Sequence, residues 1–430
     1  MFDINIIRND PERVKKNLQK RGDSEKISWI DSIRKKDEEW KELHIEVDDL
    51  RHKKNLINRE IAAKKKSGED ATEALKEASY IPKKIEEKEE RKNKLKDEID
   101  NYLMNLPNLL DESVPFGNSD EDNVEIKRWG EVKNAKEIIS HVDLLEKLGL
   151  ADFERSAKLS GHGFYFLRGQ IAQLNQALIR FATDFLIKKG YLYVEPPLMI
   201  RKRPYSGVVD MQAFKDLMYK IEEEDLYLIA TSEHPLISEF IDETFEEQSL
   251  PIKLVGYSMC FRKEVGSSGI DTKGLFRTHQ FNKVEQIIIC RPEESWKLHE
   301  ELQKNTEDLI QALKLPYRVV NVCTGDIGSI AAKKYDTEVW MPRQRKYTEV
   351  GSNSNCTDYQ ARRLNIKLGK LGSGNYSFVH TLNNTAIATS RILVGILENY
   401  QTEQGTVKIP EVLQPYMNGH KEIIKIEKDF

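Results

Sequence analysis

The chain has 430 residues, 39% of them hydrophobic and 32% charged, with a formal net charge of −4. That length leaves room for a large core plus one smaller domain, and the slight acidity excludes the overall basicity of many nucleic-acid binders, so any RNA contact must come from local basic patches. The start MFDINIIRNDPERVKK lacks a basic end followed by an apolar run, and no stretch of about 18 or more apolar residues occurs, so a cytoplasmic protein without membrane contact is expected. Cys260, Cys290, Cys323 and Cys356 are widely spaced without a CxxC pair, which predicts free thiols.

From about residue 26 to 106 the texture is that of a coiled coil. Ile33, Trp40, Val47 and Ile61 fall at one heptad position and Leu43, Leu50 and Ile57 at the other, with Lys36, Lys54 and Lys64 as interruptions. KKKSGEDAT, Lys64 to Thr72, ends this helix in a turn. A second seam runs through Ile85, Leu95, Ile99, Tyr102 and Leu106, with Lys88 and Lys92 at intervening positions. Pro82 lacks an N–H and clashes with a preceding turn, so it either opens the second helix or kinks it. Two seams joined by a short turn predict an antiparallel helical hairpin. Lys64 to Lys66, Lys83, Lys84, Arg91, Lys92, Lys94 and Lys96 are interleaved with glutamates, a pattern usual on any solvated helix face. LPNLLDESVPFGNSDEDN then reads as a linker. The expected division is an N-terminal domain over 1–106, a linker over 107–123 and a catalytic domain over 124–430.

In the larger part, Gln170 to Lys189 has helical apolar spacing in Leu174, Leu178, Phe181 and Phe185 and stops at Gly190. LYLIATSEHPL, Leu226 to Leu236, reads as a strand with Thr231 and Glu233 alternating onto one face. In Gly256 to Glu285, β-prone arms around Tyr257 to Arg262 and from Phe276 to Ile289 flank a loop with three glycines and no proline, which predicts a long-looped antiparallel hairpin. Arg262 and Glu264 lie two apart, and Arg277, Phe281 and Glu285 four apart, so each set shares a strand face. Charges on a half-buried surface are costly unless paired, which leaves an internal Arg–Glu ladder or a binding site as explanations. In TEVGSNSNCTDYQARR, Glu349 and Ser352 offer hard oxygens beside a β-prone segment. Arg391 opens a helix with an Ile392, Leu393, Ile396 and Leu397 stripe. A cation at the positive end of a helix suggests an anion between them.

FRKE, a loop and FRTHQFNKVE resemble motif 2 of class II aminoacyl-tRNA synthetases, and GLFRTHQFNKVEQ is similar to seryl-tRNA synthetases, in archaeal and eukaryotic-like wording. The opening MFDINIIRNDPERVKKNLQKRG resembles theirs as well; the 170–200 segment with Pro196-Pro197 resembles motif 1 and the Arg391 segment motif 3. The resemblance implies an α+β fold, a class II core of antiparallel sheet flanked by helices, with an N-terminal coiled-coil arm that reaches the long variable arm of tRNA(Ser). It implies a homodimer that forms seryl-adenylate from L-serine and ATP and charges tRNA(Ser), with tRNA(Sec) where present. By the same resemblance Arg262, the catalytic residue, bridges serine and the α-phosphate, and Glu264, Arg277, Phe281, Glu349, Ser352 and Arg391 bind ATP. Glu349 and Ser352 hold Mg²⁺ with it. Thr231, Glu233, Arg262, Glu285, Asn383 and Thr385 bind serine, and His234 stands where many relatives have Gln. A ligase charging a carrier protein would lack the long arm, and a non-catalytic paralogue would have lost Arg262, Glu349 or Arg391; all are present.

Overall fold

A computed structural model describes residues 1–132, 138–264, 274–370 and 372–426. The middle of the expected hairpin loop, residues 265–273, and the last four residues of the expected catalytic domain lie outside the described residues. The chain divides into two units, Met1–Pro107 and Asn108–Phe430.

The first unit is wholly helical. Asp3 and Asp10 cap two short helices, α1 (Ile4–Asn9) and α2 (Pro11–Lys20), by accepting from the N–H groups of Asn5 and Arg13. Two long helices follow, α3 (Ile27–Ser67) and α4 (Thr72–Asn105). Gly68 ends α3 in the left-handed conformation, φ 76°, a backbone state cheap only for glycine. The seam buries Ile33, Val47 and Ile57 of α3 and Leu95 and Ile99 of α4, as the heptads predict, together with Ile30, Ile81 and Leu103. Ion pairs Lys36–Glu98, Arg91–Glu39 (2.8 Å), Lys88–Glu46 and Lys53–Glu77 cross between the helices. Partner numbers fall along α4 as they rise along α3, so the hairpin is antiparallel.

Pro82 lies inside α4 and does not open it. Asp70 accepts from the N–H of Thr72 at 2.9 Å, and Ala74, Ala78 and Ile81 before the proline and Ile85 after it share one apolar cluster with Ile57, whose burial offsets the proline's cost of about 3 kcal/mol. Asp37, invisible to the apolar pattern, is buried in the seam face of α3. Arg8 grips it through two bonds of 2.8 and 2.6 Å and Lys41 pairs with it at 2.7 Å, tying α1 to the root of the hairpin.

The second unit is built on an eight-stranded sheet. Its strands are β1 (Val124–Trp129), β2 (Leu192–Val194), β3 (Ile252–Phe261), β4 (Gln280–Cys290), β5 (Tyr317–Asn321), β6 (Lys333–Met341), β7 (Lys346–Asn355) and β8 (His380–Ala388). Their order is β1-β5-β6-β7-β8-β4-β3-β2. Every pairing is antiparallel except β2 with β3, which is parallel. Helices α5 (Gly169–Lys188), α6 (Ser295–Ala312) and α7 (Thr389–Asn399) cover one face: Leu174, Leu302 and Ile392 share one apolar cluster with Val284 and Ile288 of β4. The alternate residues Ile287 and Ile289 join a second cluster with Tyr205, Leu236 and Ala361 on the other side.

Residues 108–123 do not behave as a free linker. Asn108 donates to the carbonyls of Ile330 and Cys356 at 2.9 and 2.8 Å, the N–H of Asp111 bonds Ala332, and Pro115 accepts from the N–H of Thr324. Several of the segment's polar groups are thus spent on the rest of the second unit, while Glu112, Ser113 and residues 118–122 stay exposed.

Ile99 is 2% exposed in the seam. Ile99→Ala is expected to destabilise the first unit by about 2–5 kcal/mol, read as a lower denaturant midpoint in far-UV circular dichroism; an unchanged midpoint would contradict the seam register.

Candidate active site

On β4 the side chains of Phe281, Lys283 and Glu285 alternate onto the face away from the helices and line a cavity of about 430 Å³. Glu285 and Lys283 are both buried and pair at 2.5 Å. Thr385 stands opposite Glu285 across the β4–β8 ladder and donates from Oγ1 to Glu285 Oε2 at 3.3 Å. The ladder slips by one residue beyond Thr385, so Ala386 is an extra residue in β8. Asn383, two positions earlier, is on the same face and directs its amide at Cys356 Sγ, 3.8 Å away.

The 226–236 segment differs from the expected strand. Only Tyr227–Leu228 is extended, and a short helix begins at Glu233, with Pro235 tolerated in its first turn. Thr231 and Glu233 are therefore brought together by a turn and not by strand alternation: the N–H of Glu233 bonds Thr231 Oγ1 at 3.1 Å. Gln360 donates to Glu233 Oε1 at 2.8 Å. Burial and then the neighbouring Glu285 push the Glu233 carboxyl up to about 7, against the opposing pull of Gln360, Lys283 and Arg262. His234 is buried against Tyr205 and Phe214, and burial, with Lys283 and Arg262 nearby, lowers its pKa so that the ring stays neutral.

β3 ends at Phe261, so Arg262 and Glu264 lie beyond the strand that was expected to carry them. Arg262 is held by its N–H to the carbonyl of His279 (3.0 Å), reaches Ala230 O with Nη2 (3.4 Å), and sits 5.3 Å over the Phe281 ring. Its buried Nε has no hydrogen-bond partner among the described residues. Glu264 adopts φ 47°, a left-handed backbone that turns its side chain toward the cavity. Arg277 is exposed ahead of β4, outside the strand, and also lines the cavity.

Glu349 and Ser352 both fall within β7. Three residues apart on a regular strand, they would face opposite sides; a slip in the β6–β7 register leaves Val350 as the extra residue and returns them to one side. Ser352 Oγ donates to Glu349 Oε1 at 3.1 Å. Arg391, in the first turn of α7, donates to Glu349 O at 2.7 Å and pairs with its carboxylate at 3.2 Å. Burial works against the Glu349 charge, but Arg391 and Lys334 prevail and hold the carboxyl below the usual range. Buried Asp336 beside it is pushed up by desolvation, with Lys334 only partly compensating.

All twelve sequence-selected residues, Thr231, Glu233, Arg262, Glu264, Arg277, Phe281, Glu285, Glu349, Ser352, Asn383, Thr385 and Arg391, line this one cavity. Sequence reasoning missed Lys283, Lys334 and Cys356 in the lining and Gln360 behind it. Strand alternation from Glu285 could have found Lys283; nothing local marks the others. No group of three or more His, Cys, Asp or Glu side chains suited to a metal occurs among the described residues. The four cysteines are buried and free.

A family model for the class II tRNA synthetase core domain (G, H, P, S and T) matches residues 217–400, and one for the seryl-tRNA synthetase N-terminal domain matches residues 1–110. A serine--tRNA ligase of Methanocella arvoryzae is 52% identical over 97% of this chain and 99% of its own length. The crystal structure of seryl-tRNA synthetase from Pyrococcus horikoshii complexed with ATP superposes with a TM-score of 0.94 at 50% identity, covering 99% of this chain and all of its own. That of the cytoplasmic serine-tRNA ligase from Naegleria fowleri with AMP gives 0.89 at 36% identity, covering 99% of each. Sheet, helices and charged cavity thus define a class II tRNA synthetase core. The chain belongs to the seryl-tRNA synthetase family.

Lys283→Met would leave Glu285 buried without its cation. A loss of about 3–5 kcal/mol in unfolding free energy is expected, partly recovered in Lys283→Met/Glu285→Gln; equal stability of the single variant and the parent would remove the ion pair from the cavity floor.

Proposed function

We propose that the protein is a serine–tRNA ligase: it activates L-serine with ATP to seryl-adenylate and pyrophosphate, then transfers serine to the 3′ end of tRNA(Ser) and, where present, tRNA(Sec). The observation that carries this reading is the single cavity lined by Arg262, Arg391 and Glu349 together with Thr231, Glu233, Glu285 and Thr385. The ATP and AMP bound by the Pyrococcus and Naegleria proteins support it.

Serine enters with its ammonium toward Glu233, its other polar groups within reach of Thr231, Glu285 and Asn383, and its hydroxyl near Thr385. Alanine would leave these partners unsatisfied, and a buried donor or acceptor without a partner is what gives such a pocket its selectivity. Arg262, the catalytic residue, bridges the serine carboxylate and the α-phosphate with its planar fork. The carboxylate attacks phosphorus in line, the bond to the bridging oxygen breaks, and pyrophosphate leaves. The attacking carboxylate is already ionised at neutral pH, so the site contributes orientation and charge neutralisation and no general base. Phe281 stacks on adenine, Glu264 holds the same end, and Arg277 and Arg391 clamp the triphosphate, the latter where the amino end of α7 adds partial positive charge. In the second step a terminal ribose hydroxyl of the tRNA attacks the adenylate carbonyl and AMP leaves.

Glu349 and Ser352 present two hard oxygens 3.1 Å apart. That suits Mg²⁺, which takes few protein ligands and fills the rest with water and phosphate oxygens; bound there, the ion would neutralise phosphate charge. On the helical arm, exposed Lys65, Lys66, Lys83 and Lys84 join no ion pair among the described residues, leaving their charge for tRNA phosphates, contacts that position without reading sequence. The protein acts as a cytoplasmic homodimer in this reading. Exposed Leu192 and Met199, on and beside the edge strand β2, supply apolar surface for the second subunit. No described helix is long and apolar enough to cross a membrane.

ATP–pyrophosphate exchange across the twenty amino acids is expected to depend on serine, followed by charging of total tRNA; exchange with another amino acid, or none, would overturn the reading. Arg262→Ala is expected to lower the serine-dependent rate by at least about a hundredfold. Deleting residues 30–100 is expected to leave exchange intact and cripple tRNA charging, and undiminished charging would show that the arm is not the RNA contact.

A further inference from the structure

Behind Glu233 lies a polar side chain that the two-step reaction does not use. Gln360, in the short helix Tyr359–Leu364, is fully buried and is not among the residues lining the cavity. Its Nε2 donates to Glu233 Oε1 at 2.8 Å and to the carbonyl of Val208 at 3.3 Å, while its Oε1 accepts from Thr381 Oγ1 at 2.6 Å. Both partners of Nε2 are acceptors. Turning the amide over would set its oxygen against a carboxylate and a carbonyl, so its orientation is fixed.

We propose that Gln360 is a positioning residue for amino-acid recognition: backed by Thr381, it fixes the Glu233 carboxylate as an acceptor aimed into the cavity, and so governs serine capture and not ATP binding. The inference rests on the assignment of Glu233 to the serine ammonium. Around Glu233 stand Glu285 and Lys283 from β4, Arg262 from the end of β3 and the buried Cys356 thiol, with neutral His234 on its own helix. Burial and Glu285 favour the protonated carboxyl, and a protonated carboxyl does not attract an ammonium. The Gln360 N–H favours the ionised form and orients it. Removing that donor raises the Glu233 pKa further, so the acid limb of kcat/KM for serine moves to higher pH.

The test is serine-dependent ATP–pyrophosphate exchange by the full-length protein carrying Gln360→Met, which keeps length and loses the amide, or Thr381→Val, which loses only the backing hydroxyl. Gln360→Met is expected to raise the serine KM about ten- to a hundredfold with the ATP KM unchanged. Thr381→Val should shift the serine KM less and in the same direction, and both should displace the acid limb to higher pH. If Gln360→Met fails to fold, Thr381→Val carries the test. An unchanged serine KM, or serine and ATP KM rising together with an unmoved pH limb, overturns the inference. Parent protein without serine-dependent exchange overturns the proposed function itself, and with it this inference.

Discussion

Two carboxylates that interact through a desolvated space, Glu233 and Glu285, are the constraint around which the second unit is arranged. Left alone, burial and mutual repulsion would protonate one of them. Lys283, on the same face of β4 as Glu285 and in contact with it, supplies the counter-charge, and Arg262 adds a second from the end of the neighbouring strand. Lys283 lies on β4 and Arg262 just past the end of β3, a strand pair near the β2 edge of the sheet, where alternation along β4 sends one set of side chains to the helix-covered core and the other to the cavity. Polar chemistry within a sheet is sustainable only because the surrounding ladder is complete and the apolar face is packed by α5, α6 and α7.

At the β7 and α7 side two cations, Arg391 and Lys334, meet two carboxylates, Glu349 and Asp336. Arg391 serves both the backbone and the carboxylate of Glu349, Lys334 adds charge from β6, and the first turn of α7 contributes its own partial positive charge. Arg391 and Lys334 keep Glu349 ionised, whereas burial pushes nearby Asp336 up. One cavity therefore offers acidic groups to an ammonium and basic groups to phosphates. A reaction between two anions needs both, since the substrates must be anchored by one and their repulsion neutralised by the other.

The helical unit follows a different economy. Its apolar seam is thin, and ion pairs between α3 and α4 flank it, fixing register where two long helices could slide. Buried Asp37 with Arg8 and Lys41 anchors the root, while near the turn Lys64 pairs with Glu60 and Lys65, Lys66, Lys83 and Lys84 join no ion pair among the described residues.

The sequence by itself determined the helical hairpin, the long β-arms and all twelve residues that meet in the cavity, because heptad spacing, strand-forming residues and misplaced charges are local patterns, and the seryl-tRNA synthetase resemblance joined the separate stretches. It misjudged how several of those residues arrive. Arg262 and Glu264 lie past a strand end, Thr231 and Glu233 meet at a turn, Pro82 is carried within a helix, and residues 108–123 dock instead of linking. Tertiary structure alone decided that Glu349 and Ser352 face one way, through the bulge at Val350, that Lys283 answers Glu285, and that Gln360 reaches Glu233 across 127 positions of chain. Those outcomes depend on which strand pairs with which and in what register, and register is set by the packing of the whole sheet, which no local pattern contains.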